Sequence, residues 1–184
     1  MNEVTAVPEK HRIVVSAEQI QKRVREMARQ ISDDYDGKKI YAVCVLENGF
    51  MFMADLVRSL EVPVICEFLK PYTKDPTEGK IEIFFSPEVD VSGGHVLLID
   101  GLMQSGVTSE FLMRNLVARG AASVKLAVLL DRQSARRVSL QPDYFGFLID
   151  ESYIFGYGMG APEVGRNLPY VAATTGKSGG AQGI

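Results

Sequence analysis

The chain has 184 residues, 46% apolar and 23% charged, with 20 Lys and Arg against 23 Asp and Glu for a net charge of −3. That make-up fits one globular domain with a sizeable core, and its near-neutral balance argues against a nucleic acid or an anionic membrane as partner. Two histidines and two cysteines exclude a His/Cys zinc cluster. Cys44 and Cys66 sit in apolar runs and read as small core hydrophobes of a reducing compartment. No apolar run reaches the roughly 18–20 residues of a membrane span, no signal-peptide core opens the chain, and the expected location is cytoplasmic.

Residues 1–12 are polar and include Pro8, which reads as a loosely held arm before a domain over 13–173. Ser16 with Gln19 forms a capping-box pattern, and Ile20, Val24, Met27 and Ile31 follow at helical spacing until Gly37 stops the element. Ile40 to Leu46 is an apolar, β-branched run, the mark of a strand buried on both faces. Phe50 to Leu60 reads as a helix, and Val62 to Phe68 as a second strand opening at Pro63. Residues 69–80 hold two prolines and a glycine and read as a long loop, functional or mobile. Strands are expected at Ile81–Phe85, at Val96–Ile99 stopping before Asp100-Gly101, and at Val124–Leu130. An amphipathic helix over Thr108–Arg119 lies between the last two, stopped by Gly120. Tyr144–Leu148 and Tyr153–Phe155 read as short strands, and residues 174–184 as a disordered tail.

Strands alternating with helices predict an α/β fold with a mostly parallel sheet, whose ligands bind outside the carboxyl ends of the strands. The loops after Leu46, Ile99 and Leu130 are therefore the candidates for function. The strongest segment is His95 to Thr108, in which a buried strand delivers Asp100 and Ser105-Gly106-Val107-Thr108 turns into a helix. Small and hydroxyl residues there leave backbone N–H groups open to an anion such as phosphate. An ordinary N-capped helix after a strand would read the same way. No Gly-Lys-Ser/Thr follows, so this is not a Walker A loop, and the glycine spacing is not that of a dinucleotide fingerprint.

Five ordered segments carry a resemblance: Leu46–Leu56 (LENGFMFMADL), the VLLIDGLMQSGVT run, Leu129–Val138 (LLDRQSARRV), Pro142–Ile149 (PDYFGFLI) and IFGYGMG…GRNLPYV ending at Val171. Together the chain resembles the type I phosphoribosyltransferases, most closely the bacterial hypoxanthine-guanine branch. That resemblance implies a five-stranded, mostly parallel sheet flanked by helices, with a small hood built from both ends of the chain over the site. It implies transfer of phosphoribosyl from 5-phosphoribosyl pyrophosphate (PRPP) to a 6-oxopurine in purine salvage, with Mg²⁺, in a homodimer or homotetramer. Ser105, Gly106, Val107 and Thr108 match the cradle of the 5′-phosphate, and Asn48, Gly49 and Arg166 the pyrophosphate side. Arg132 takes the place of a Lys that donates to purine O6, Tyr153 that of an aromatic stacked on the base, and Ile154 that of a residue whose backbone meets the purine. Without the resemblance, Arg132 would be a solvated charge beside Arg136 and Arg137, and Tyr153 a core aromatic.

The same alignment shows departures. Asp100-Gly101 stands where the family has two adjacent carboxylates on the ribose hydroxyls, so Asp100 is left as the one ribose and Mg²⁺ carboxylate. Gln104 replaces the Asp that serves as acid and base toward purine N7, and an amide relays no proton at physiological pH. Gly160 replaces the Asp that helps to hold Mg²⁺. Glu47 faces the pyrophosphate side with a like charge, and Pro71-Tyr72 is the nearest counterpart of the mobile-loop Ser-Tyr pair. Three outcomes stay open: an active transferase in which Glu47, Glu163 or water-bound Mg²⁺ compensates, a regulatory protein that binds a purine nucleotide or phosphate, or a transferase with another acceptor. If only carboxylates are missing, Gly101→Asp, Gln104→Asp and Gly160→Asp together restore turnover.

Overall fold

The computed structural model describes residues 7–8, 10–75, 80–85, 90–161 and 163–174, with the backbone alone described for 72–75 and 80–85. The tail from residue 175, and the Tyr72 side chain, lie outside the described residues. A main sheet of six strands is ordered β4-β3-β2-β5-β6-β7, where β2 is Ile40–Val45, β3 Val64–Asp75, β4 Lys80–Phe85, β5 His95–Met103, β6 Ser123–Asp131 and β7 Tyr144–Leu148. Five of these strands run parallel and β4 alone is antiparallel. This is the expected sheet with one added edge strand.

Side chains alternate between two cores, one on each face of the sheet. Ile40, Ala42 and Cys44 of β2 and Leu97 and Ile99 of β5 face the helices α1 (Ala17–Asp34) and α2 (Phe50–Val57). Val43, Val45, Val96 and Leu98 face α3 (Val107–Ala118) through Leu112 and Leu116. This two-sided burial is why β2 and β5 read as unbroken apolar runs. Helix α1 starts as its sequence predicts: the Gln19 N–H donates to Ser16 Oγ at 3.3 Å and Gln19 Oε1 accepts from the Ser16 N–H at 2.8 Å. Helix α2 begins with Phe52 and Met53 buried and Phe50 39% exposed, so most of its apolar start is core.

The described residues of 69–80 are strand and not the expected loop. Strand β3 runs on to Asp75 and folds against β4, with Leu69 opposite Phe85 and Asp75 opposite Lys80. Its pairing with β2 ends at Leu69, so Pro71 lies where one side of β3 has no neighbour and its missing N–H costs no ladder bond. Strand β5 likewise continues past Asp100 to Met103, because Leu102 and Met103 pair with Leu130 and Asp131 of β6.

A second, three-stranded antiparallel sheet in the order β1-β9-β8 forms the hood, from β1 (His11–Val15), β8 (Ile154–Phe155) and β9 (Val171–Thr174). His11 pairs with Thr174, so β1 takes in two residues assigned to the arm and β9 the first residue assigned to the tail. The hood is tied to the body where Tyr157 Oη donates to Asp55 Oδ2 of α2 at 2.5 Å and where Arg12 pairs with Glu151.

Candidate functional site

The three loops singled out by the sequence meet at the carboxyl ends of β2, β5 and β6. After β5, Gly106 is the N-cap of α3, and no side chain caps that helix. The first N–H groups of such a helix have no intrahelical partner, a chemistry able to accept an anion; Val107 N–H is directed to Ser105 Oγ at 3.4 Å and Val107 itself is exposed. The segment after β6 clasps this loop: Arg132 N–H donates to Met103 O and Arg137 N–H to Ser105 O, both at 2.9 Å. Underneath, the fully buried Asp131 pairs with Arg136, whose Nη1 also donates to Leu140 O at 3.1 Å. Arg136 thereby neutralises a core carboxylate.

Arg132 is half-buried, its Nη2 donates to Ser152 Oγ at 2.9 Å, and its Nε is buried with no hydrogen-bond partner. Arg136 Nε is likewise buried without a partner, so the unpaired Nε does not by itself distinguish Arg132; what sets Arg132 apart is its tether to Ser152 beside the exposed Tyr153. Tyr153 is 54% exposed, a solvent-facing ring and not a core aromatic. Ile154, half-buried, pairs with Ala173 in the hood. Gln104 is exposed at the start of the loop.

Asp100 sits at the crevice floor, its carboxylate accepting from Leu102 N–H at 3.4 Å. Burial pushes its carboxyl up to about 7, against a smaller opposing pull from the N–H groups of Leu102 and Gly101. Burial, helped by the Asp100 charge, also lifts the neighbouring Cys44 thiol to about 12, which makes it an inert core residue, whereas Cys66 on β3 is exposed and not the core residue its apolar run suggests.

Position 101 is closed. The turn after β2 brings Asn48 so near that a Cβ on Gly101 would lie 2.2 Å from the Asn48 carbonyl oxygen and 2.8 Å from its carbon. Gly49 is buried against Val45, Cys44 and Ile99, which holds this turn down. Position 160 is closed as well. Gly160 has φ +99°, and a Cβ there would meet Phe155 Cβ at 2.8 Å. The triple aspartate replacement therefore does not fit this backbone at two of its three positions. Among the described residues, no three His, Cys, Asp or Glu side chains are grouped to hold a metal ion. With positions 101 and 160 closed and Glu47 engaged by two cations, the carboxylates among the described residues do not fit a protein-held Mg²⁺ at this site.

Glu47 is the site residue whose structural role the sequence did not reveal. Its Oε1 accepts from Lys70 Nζ at 2.8 Å and its Oε2 from Arg166 Nη1 at 2.5 Å. The hydrogen bonds from Lys70 and Arg166 hold its carboxyl down at about 2. The other edge of Arg166 is anchored too, Nε and Nη2 donating to Gly160 O at 3.0 and 2.8 Å. Glu163 is exposed and takes no part in this cluster.

Among the described residues, no helix is long and apolar enough to cross a membrane. Residues 14–163 match the family model described as a phosphoribosyl transferase domain. The chain is 36% identical over 181 residues to the hypoxanthine-guanine phosphoribosyltransferase of Crithidia fasciculata, covering 89% of this chain and 87% of that one. It is 33% identical to its counterpart in Aquifex aeolicus, covering 88% and 93%. The chain spans only about a quarter of the length of the bifunctional TilS/HprT proteins of Listeria that it also matches, at 31% identity over 87% of its own length. A solved hypoxanthine-guanine phosphoribosyltransferase of Bacillus anthracis superposes with a TM-score of 0.84 at 32% identity, covering 91% of this chain and 99% of that one. A parallel sheet flanked by helices, a hood built from both ends of the chain and matched relatives along nearly the whole domain lead to one conclusion: the chain belongs to the phosphoribosyl transferase domain family, in its hypoxanthine-guanine phosphoribosyltransferase-like branch.

Proposed function

We propose that the chain binds a 6-oxopurine mononucleotide such as GMP or IMP, and that it transfers phosphoribosyl from PRPP poorly or not at all. The uncapped N-terminus of α3, Ser105 to Thr108, takes the 5′-phosphate. The Arg132 guanidinium donates to the purine carbonyl, the exposed Tyr153 ring lies against the base, and backbone groups beside Ile154 meet its edge. Asn48, Gly49 and Arg166 form the leaving-group side, and Asp100 faces the ribose. The observation that carries this reading is the closure of position 101: the second ribose carboxylate is excluded by backbone, not merely exchanged. The amide of Gln104 adds to it, since general acid–base catalysis alone is worth about 10²–10⁴-fold. Mg²⁺, the metal generally used by this family, would reach the site only with a phosphate ligand. On this reading the chain works in the cytoplasm as a homodimer or homotetramer.

The relatives' own activity favours a second reading, a working purine-salvage transferase with a rearranged site. Two measurements separate the readings. Calorimetric titration with GMP and IMP, with and without Mg²⁺, is expected to show binding that changes little when the metal is removed. Pyrophosphate release from PRPP with guanine or hypoxanthine is expected to fall about 10²-fold or more below the Aquifex aeolicus enzyme assayed alongside. Equal turnover would establish the second reading; binding of neither nucleotide would reject the first.

A further inference from the structure

We propose that Glu47 is a built-in anion on the leaving-group side of the site, which makes the chain select ligands carrying a single phosphate over pyrophosphate and PRPP. The proposal rests on the reading above for the position of that side, and it concerns a residue that the reading leaves without a role. Lys70 on β3 and Arg166 before β9 lie 23 and 119 residues from Glu47, yet both aim at one carboxylate, at 2.8 and 2.5 Å. A Lys and an Arg converging at the open rim of a crevice are the charges an incoming polyanion would use. Here an internal group has already taken them. The anchoring of Arg166 to Gly160 O keeps its free edge turned to Glu47, and the turn carrying Glu47 is seated on Gly101 through Asn48.

The consequence differs for the two anion subsites. The Ser105–Thr108 cradle uses backbone N–H groups of α3 and shares no side chain with the Glu47 cluster, so a 5′-phosphate meets no competitor. A pyrophosphate must either lie against the Glu47 carboxylate or displace it from both cations, a cost that a single 5′-phosphate in the other subsite does not meet. Glu47 has a side chain 43% exposed, so its removal touches no core. Because its carboxyl is held far below neutrality, protonation does not relieve the block in any ordinary assay buffer.

The test is calorimetric binding of inorganic pyrophosphate, with and without Mg²⁺, and of GMP, to the full chain and to Glu47→Gln, Glu47→Ala and Glu47→Gln/Arg166→Ala. Glu47→Gln and Glu47→Ala are expected to bind pyrophosphate about tenfold or more tighter than the parent. GMP affinity is expected to stay within about twofold, because its phosphate lies elsewhere. Adding Arg166→Ala should abolish most of the gain, and raising the salt concentration should shrink it. Pyrophosphate affinity unchanged in both single variants, or a gain for GMP as large as that for pyrophosphate, would overturn the proposal. Failure of the parent chain to bind GMP rejects the mononucleotide reading instead, and leaves the pyrophosphate comparison to decide the role of Glu47 by itself.

Discussion

Replacing Gly101 by Ala is the sharpest probe of this site, because it adds one atom and no charge. That atom would stand 2.2 Å from Asn48 O, whereas even a close carbon–oxygen contact lies near 3.3 Å. The Asn48 turn must therefore retreat by about 1 Å. It cannot do so freely, since Gly49 is wedged against Val45 O at 2.9 Å and Ile99 O at 3.1 Å from its own would-be Cβ, and its N–H is bonded to Val45 O at 3.1 Å. Forcing a packed backbone in this way costs about 1–3 kcal/mol. Urea denaturation followed by circular dichroism should show that loss for Gly101→Ala, and a larger one for Gly101→Asp, which also sets a second carboxylate beside Asp100. Transfer activity should not rise in either variant. A Gly101→Asp protein within about 0.5 kcal/mol of the parent, with faster pyrophosphate release, would refute the reasoning that the turn excludes the family's second carboxylate.

Asp100 predicts a pH dependence of stability. Its carboxyl titrates at about 7 in the fold against 3.8 unfolded, so its contribution is fully present below 3.8 and is lost as the pH rises through 7. At about 1.4 kcal/mol per pH unit the ionised form costs up to about 4 kcal/mol, and partial solvent access reduces this to roughly 1–3; Asp100→Asn should remove the slope and be the more stable protein at pH 8, and identical pH–stability curves would count against a buried carboxyl there. Arg136→Met strands the buried Asp131 carboxylate and should cost about 3–5 kcal/mol in urea denaturation, while Arg136→Met with Asp131→Leu should recover most of it. A harmless single substitution would show that the pair does not support the phosphate loop.

The amount of this molecule that was legible in its sequence follows the range of the interactions involved. The Ser16–Gln19 cap, the apolar stripe of α1 and the two-faced runs of β2, β5 and β6 are local patterns, and they appear where they were expected. Strands β1 and β9 were not legible, because His11 finds Thr174 only across the whole chain. The β3–β4 hairpin was hidden by Pro71 and a dense run of charges, which read as loop until β4 supplies the missing partner. At the candidate site, residue types in order located the turn Ser105–Thr108 at the start of α3 and Asp100 within β5, because both are local features of a strand leading into a helix.

Read alone, the sequence determined the α/β class, the family and the positions where carboxylates are missing. It could not say whether those positions were vacant or filled. Only the tertiary structure decided that, by bringing Asn48 onto Gly101, Phe155 onto Gly160, and Lys70 and Arg166 onto Glu47. The physical reason is that a missing side chain is a property of one residue, whereas excluded volume and charge neutralisation belong to pairs of residues that the chain must fold to bring together.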